Sequence, residues 1–146
     1  MKLTIEEIER DKEEEIIVRC HEIDEDMMRM LQKLKKARNG IVGMQGDEIH
    51  RLSLDEIYYF EVVDNKSFFY CEEAVYESKW KLYEFAEVSR GGSFFRASKS
   101  VILNVDKIDF VKPAFSGRFE AILFNGEKVI VSRQYVGELK ELMGIR

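Results

Sequence analysis

The sequence holds one proline, two cysteines and two histidines in 146 residues. With Pro113 alone and only nine glycines, there is little material for long flexible linkers. No apolar run approaches the ~20 residues that a membrane-spanning helix needs, and the acidic N-terminus is unlike a signal peptide. A cytoplasmic protein is therefore expected, with Cys20 and Cys71 as free thiols, both buried and structural, in a reducing compartment. His21 and His50 are far apart in sequence. His21 follows Cys20, but neighbours in a strand point to opposite faces and do not readily share a metal. Neither Cys-x-x-Cys nor His-Glu-x-x-His occurs, and the Ser89–Ser93 loop, although it contains Gly91-Gly92, lacks the Gly-x-x-x-x-Gly-Lys-Ser/Thr pattern of a phosphate loop. Carboxylates such as Glu61 and Asp64 are no more than this acidic composition supplies. These absences argue against an enzyme, and no metal, cofactor or small-molecule substrate is expected.

What is present is core-forming material. Hydrophobic residues make up 45% and aromatic residues 12%, far from a disordered composition. The length suits one domain with a modest extension. The net charge of −5 argues against a general affinity for nucleic acid, but its distribution is uneven. Residues 41–88 carry four Lys and Arg against eleven Asp and Glu, whereas residues 89–146 carry ten against six. Screening confines each charge to about 10 Å, so a basic surface in the C-terminal half can act locally.

Residues 1–40 read as an extension made of strand, strand and helix. Leu3, Ile5 and Ile8 alternate with polar residues, Asp11-Lys12 offers a turn, and Glu15–Cys20 is a β-branched run, which together predict a β-hairpin. Asp24 is placed to cap a helix whose apolar stripe is Met27, Met28, Leu31 and Leu34, with Met30 at its edge. Lys33, Lys35, Lys36 and Arg38 load its last turns, and Asn39-Gly40 closes it. The stripe is expected to pack on the hairpin.

Residues 41–146 form the main domain. A hairpin is expected around Gly46-Asp47, then a single helical turn over 53–57. Strands follow over 57–63 and 67–72 around Asp64-Asn65-Lys66, with a short strand over 75–78. A helix is expected over 79–88, with Trp80 and Phe85 in the core. Strands over 108–111, 118–124 and 128–131 follow, with Asn125-Gly126 as a type I′ turn. A last helix over 133–142 begins at Ser132, which would place the Arg133 cation unfavourably at a helix start.

Between the helix and these last strands lies Phe94-Phe95-Arg96-Ala97-Ser98-Lys99-Ser100-Val101-Ile102-Leu103-Asn104. Its apolar ends fit a core. Arg96, Ser98, Lys99 and Ser100 offer donors and positive charge without a carboxylate, a set suited to phosphate or base edges. A plain polar turn between two core segments has the same composition.

From Ile57 onward the chain resembles the LytTR family of bacterial DNA-binding domains. Ile57-Tyr58-Tyr59-Phe60-Glu61, Ser78 to Leu82, Phe95-Arg96-x-Ser98-Lys99-Ser100 to Asn104, Ile108, Asn125-Gly126 and Val131-Ser132-Arg133 occur in family order. The resemblance implies a mostly β (α+β) fold of small antiparallel sheets with short helices. It also implies a sequence-specific, double-stranded DNA-binding transcriptional regulator whose loops enter successive major grooves. Lys99 and Arg133 match family DNA-contact positions; Lys66 and Asn65 lie in a loop that approaches DNA in the family. Arg96, Ser98 and Ser100 lie in the motif, where Arg96 and Ser100 have a structural alternative. Many members carry His where Ser98 stands, so that role is open here. The family further suggests a homodimer on repeated half-sites. With no receiver domain in the sequence, it suggests a stand-alone regulator with input from a membrane-protein partner. The rival expectation is a protein-interaction module of the same fold that does not bind DNA.

Overall fold

The computed structural model describes residues 1–145, and the basic side chains expected at the end of the first helix (Lys35, Lys36 and Arg38) lie outside the described residues. The elements are α1 (Glu25–Asn39), β1 (Ile41–Gln45), β2 (Glu48–Leu52), β3 (Tyr59–Val63), β4 (Lys66–Tyr70), β5 (Val75–Ser78), α2 (Leu82–Val88), β6 (Phe94–Arg96), β7 (Val101–Asn104), β8 (Ile108–Pro113), β9 (Phe119–Leu123), β10 (Lys128–Val131) and α3 (Val136–Met143). Short 3-10 turns cover Leu54–Glu56, Val105–Lys107, Phe115–Gly117 and Arg133–Tyr135. The strands form two antiparallel sheets, one in the order β2-β1-β5-β4-β3-β7-β6 and one in the order β10-β9-β8. The expected mostly β fold is the one observed.

Two cores flank the long sheet. On one face Phe60, Phe69, Phe94 and Ile102 pack with Phe85 of α2, and the Phe85 ring lies 4.8–6.5 Å from those of Phe60, Phe69, Trp80 and Phe94. On the other face Val101 and Leu103 meet the short sheet through Ala121, Leu123, Val129 and Val131, and α3 through Val136 and Leu139. Strand β7 is therefore buried on both faces, which explains its unbroken Val-Ile-Leu run. It ends in Asn104, 2% exposed, whose Nδ2 donates to the Ile57 carbonyl at 2.9 Å. The Asn104 Oδ1 accepts from the Ser93 hydroxyl at 2.7 Å and the Asp106 N–H at 3.1 Å. One side chain thus joins three connecting segments.

The expected N-terminal hairpin does not form. The turn is present, with the Lys12 N–H on the Glu9 carbonyl at 3.1 Å, but residues 1–23 contain no strand. Pairing would bring Glu6 and Glu7 toward Glu13, Glu14 and Glu15, and like charges across a ladder repel. An isolated two-stranded ribbon is marginal in any case. Helix α1 forms as expected, with the Asp24 carboxylate accepting from the Met27 N–H at 2.8 Å. It lies beside α2 rather than on a hairpin, and Lys33 reaches Glu87 at 2.5 Å. That contact holds the exposed Glu87 carboxyl below the usual carboxylate range.

Two turn expectations change places. The type I′ signature, positive φ at both central residues, belongs to Asp64 (50°) and Asn65 (63°). At Asn125-Gly126 only the glycine has positive φ, 88°. The Gly126 N–H bonds to Leu123 O and the Leu123 N–H to Glu127 O, a three-residue loop closed by an αL glycine. Asn125 instead uses its side chain, accepting from the Glu127 N–H and donating to the Glu72 carbonyl.

The thiols also differ from expectation. Cys20 is exposed, while Cys71 is half-buried, and burial followed by the charge of Glu56 pushes its pKa up to about 11. At pH 7.5 an alkylating reagent should therefore modify Cys20 promptly and Cys71 only when the domain opens. Mass mapping of the labelled peptides with and without urea checks this; equal labelling rates in the native protein would contradict it.

Candidate nucleic-acid interface

The middle of the Phe94–Asn104 stretch folds into a closed turn between β6 and β7, at one end of the long sheet. The N–H groups of Ala97 and Ser98 both donate to the Val101 carbonyl, at 2.9 and 3.3 Å. The Ser98 hydroxyl oxygen accepts from the Ser100 N–H at 3.3 Å, the local bond that favours serine in turns. Arg96 bends back into the same turn, with Nε donating to the Ser98 carbonyl at 2.6 Å and Nη2 to the Lys99 carbonyl at 2.5 Å. Its guanidinium thus braces the turn from inside. Lys99 is left exposed at the tip.

Two neighbouring segments are tied to this turn. The Val62 N–H donates to the Ser100 carbonyl at 2.9 Å, which brings up the β3–β4 loop with Asn65 and Lys66. The Ser132 N–H donates to the Ala97 carbonyl at 2.8 Å, which fixes the loop that bears Arg133. Between the first two segments runs a cleft of about 510 Å³ whose lining includes Asn65, Lys66, Lys79, Lys81, Lys99 and Ser100. Glu77 is its one carboxylate among four lysines. No carboxylate lies within ion-pair distance of these lysines among the described residues. A set of unneutralised ammonium groups around a groove is what a phosphate backbone requires.

Lys79 and Lys81 do not stand out in the sequence. The expected helix over 79–88 starts at Leu82, so residues 79–81 are outside it. Buried Ser67 and Ser78 hold this stretch, the Ser67 hydroxyl donating to the Trp80 carbonyl at 2.7 Å and the Ser78 hydroxyl accepting from the Trp80 N–H at 2.8 Å. The Lys-Trp-Lys alternation was the available signal. In extended chain it puts both lysines on one side and the aromatic on the other.

Arg133 does not line the cleft; it is exposed just beyond the 97–100 turn. Its stem crosses Gly117 of the β8–β9 connection, where an added Cβ would come 2.7 Å from the Arg133 Cδ. Gly117 also has φ +75°, so this position suits glycine on both counts. The expected dipole cost at Arg133 is smaller than anticipated. Arg133–Tyr135 is a separate 3-10 turn, the α-helix proper begins at Val136, and the Ser132 hydroxyl makes no cap bond.

Of the residues expected to contact DNA, the structure gathers Asn65, Lys66, Lys99 and Ser100 in one cleft. It places Arg133 beside them and commits Arg96 and Ser98 to internal bonds of the turn. Among the described residues no group of His, Cys, Asp and Glu is arranged to hold a metal. No described helix is long and apolar enough to cross a membrane.

Residues 47–144 match the LytTr DNA-binding domain family. The sensory transduction protein LytT of Enterococcus faecalis is 31% identical over 112 residues, covering 76% of this chain and 46% of that protein. LytT of Bacillus anthracis is 28% identical over 141 residues, covering 84% and 57%. The chain thus spans about half the length of these curated relatives. Among solved structures, a LytTr DNA-binding domain from Bacillus cereus is similar with a TM-score of 0.67 and 28% identity, covering 72% of this chain and 96% of that one.

Proposed function

The chain belongs to the LytTR family of DNA-binding domains, and on that footing we propose that it is a sequence-reading regulator of transcription that grips duplex DNA with the loop-bearing end of its long sheet. The observation that carries this reading is the lysine-lined cleft, bounded by the 64–66 and 97–100 loops, with Arg133 held alongside. Lys66, Lys79 and Lys81 track the phosphate backbone. Lys99 and Arg133 reach base edges or paired phosphates in successive major grooves. Ser100 and the hydroxyl hydrogen of Ser98 serve single phosphates, and Arg96 keeps the 97–100 turn in shape. The overall charge of −5 confines the attraction to this end, so the affinity of one copy is modest. Two copies on repeated half-sites raise it through effective concentration.

The roles separate experimentally. Arg133→Ala should cost ~1–3 kcal/mol on the preferred duplex and relax discrimination at one base position. The double change Lys79→Ala with Lys81→Ala should weaken all duplexes alike and lower the slope of log K against log salt by about 2. Fluorescence anisotropy with matched and single-substituted duplexes at several salt concentrations measures both. An unchanged salt slope in the double variant removes the cleft from the interface. Uniform weakening by Arg133→Ala removes its base-reading role.

A further inference from the structure

The second core covers only part of its face of the long sheet. Residues directly opposite in a ladder point to the same side. One such row runs Ile49, Met44, Glu77, Phe68, Glu61, Val101, and Val101 lies in the core beneath the short sheet. The rest of that row, with Val42 and Val75, therefore lies on the same face but beyond the short sheet. Ile49 is 72% exposed, and Val42 and Val75 are also exposed. This strip is apolar at Ile49, Met44, Val42 and Val75 and is interrupted by Glu77 and Arg51; it ends at β2, which has no neighbour on its outer edge among the described residues.

The same chain carries an unpaired segment of strand-like sequence. Residues 1–23 form no strand, yet Leu3, Ile5, Ile16, Ile17 and Ile23 are 63–85% exposed. So many bare aliphatic side chains mark an interaction segment. Glu15–Cys20 carries apolar residues on both sides of an extended chain, Ile16, Val18 and Cys20 on one and Ile17 on the other, as a strand added to a two-faced sheet requires. In the single chain this segment and the outer edge of β2 are both left unpaired among the described residues. Helix α1, from which the segment emerges, lies beside α2, and α2 packs on the opposite face of the sheet.

We propose that residues 1–23 act as an exchanged arm: in a dimer of this chain, the arm of each copy adds to the free β2 edge of the other and sets Ile16 and Val18 beside Ile49 on the same face. Reciprocal exchange of identical arms gives an isologous interface that closes on itself. Twenty-three extended residues span up to about 75 Å, enough to cross to a second copy. The lysine cleft takes its lining from β3, β4, β5, residues 79–82 and the 97–100 turn and none from β1 or β2, so an arm paired along the outer edge of β2 leaves it open. It requires no DNA.

The test uses the full chain without DNA. Sedimentation velocity should show a dimer at micromolar concentration, and Ile16→Glu with Val18→Glu, or Ile49→Glu alone, should raise its dissociation constant at least tenfold. All three positions are exposed, and unchanged circular dichroism and melting temperature confirm that the variants fold. Cys20 then reports the partner directly. With Cys71→Ser and Ile49→Cys, mild oxidation by diamide should yield a covalent dimer on a non-reducing gel. A monomer across the concentration range, a dimer indifferent to the arm changes, or a disulfide from Cys20 to the introduced thiol formed within one chain would overturn the proposal. DNA binding is measured separately, and its presence or absence does not alter these outcomes.

Discussion

Replacing Asn104 with leucine should cost about 3 kcal/mol or more, although the two side chains have similar volumes. Asn104 is 2% exposed and its amide joins Ile57, Ser93 and Asp106. Leucine would take their partner from the Ile57 carbonyl and the half-buried Ser93 hydroxyl, at roughly 1–3 kcal/mol for each group left unsatisfied. The added apolar contact does not offset two stranded groups. The expected result is a urea midpoint shifted down with the slope unchanged. The loss should reach DNA binding too, because β7 and the 97–100 turn are continuous with Asn104. A destabilisation below about 1 kcal/mol would mean that the junction relaxes or admits water.

Phe85→Ala should cost about 3–5 kcal/mol, the range for a fully buried aromatic. Its ring is 0% exposed, stacks on Phe60 and meets Phe69, Trp80 and Phe94 edge-on. Thermal melting should show a drop of roughly ten degrees or more for a chain of this size. Phe85→Leu should recover part of it. Equal losses for the alanine and leucine variants would place the effect in the ring contacts rather than the volume.

Much of this architecture was legible because short-range rules and burial agreed. Asp24 announced α1, and the apolar ends of the 94–104 stretch announced core segments, which the structure shows as β6 and the doubly buried β7. What the sequence concealed depended on partners distant along the chain. The hairpin of residues 1–23 satisfied alternation but had no sheet to join and opposed glutamate to glutamate. Asn125-Gly126 matched a turn signature, but the Asn125 side chain is drawn to the Glu127 N–H and Glu72 carbonyl, while Asp64-Asn65 took the left-handed geometry. At the candidate interface, motif position singled out Lys99 and Arg133, both of which the structure leaves exposed. It did not tell that Arg96 folds inward onto two carbonyls. Nor did it reveal Lys79 and Lys81, whose placement depends on two buried serines holding an extended segment. Gly117 was silent in sequence because its reason is the stem of Arg133, sixteen residues away along the chain.

The measurement that bears most directly on the DNA reading is selection of the full chain against a randomised duplex pool, followed by titration of the enriched sequence at several salt concentrations. The expected result is a repeated consensus, a steep inverse dependence on salt, and loss of discrimination on Arg133→Ala and Lys99→Ala. No enrichment at low salt from well-folded protein would contradict it, and would leave a LytTR fold whose lysine cleft serves a protein partner instead.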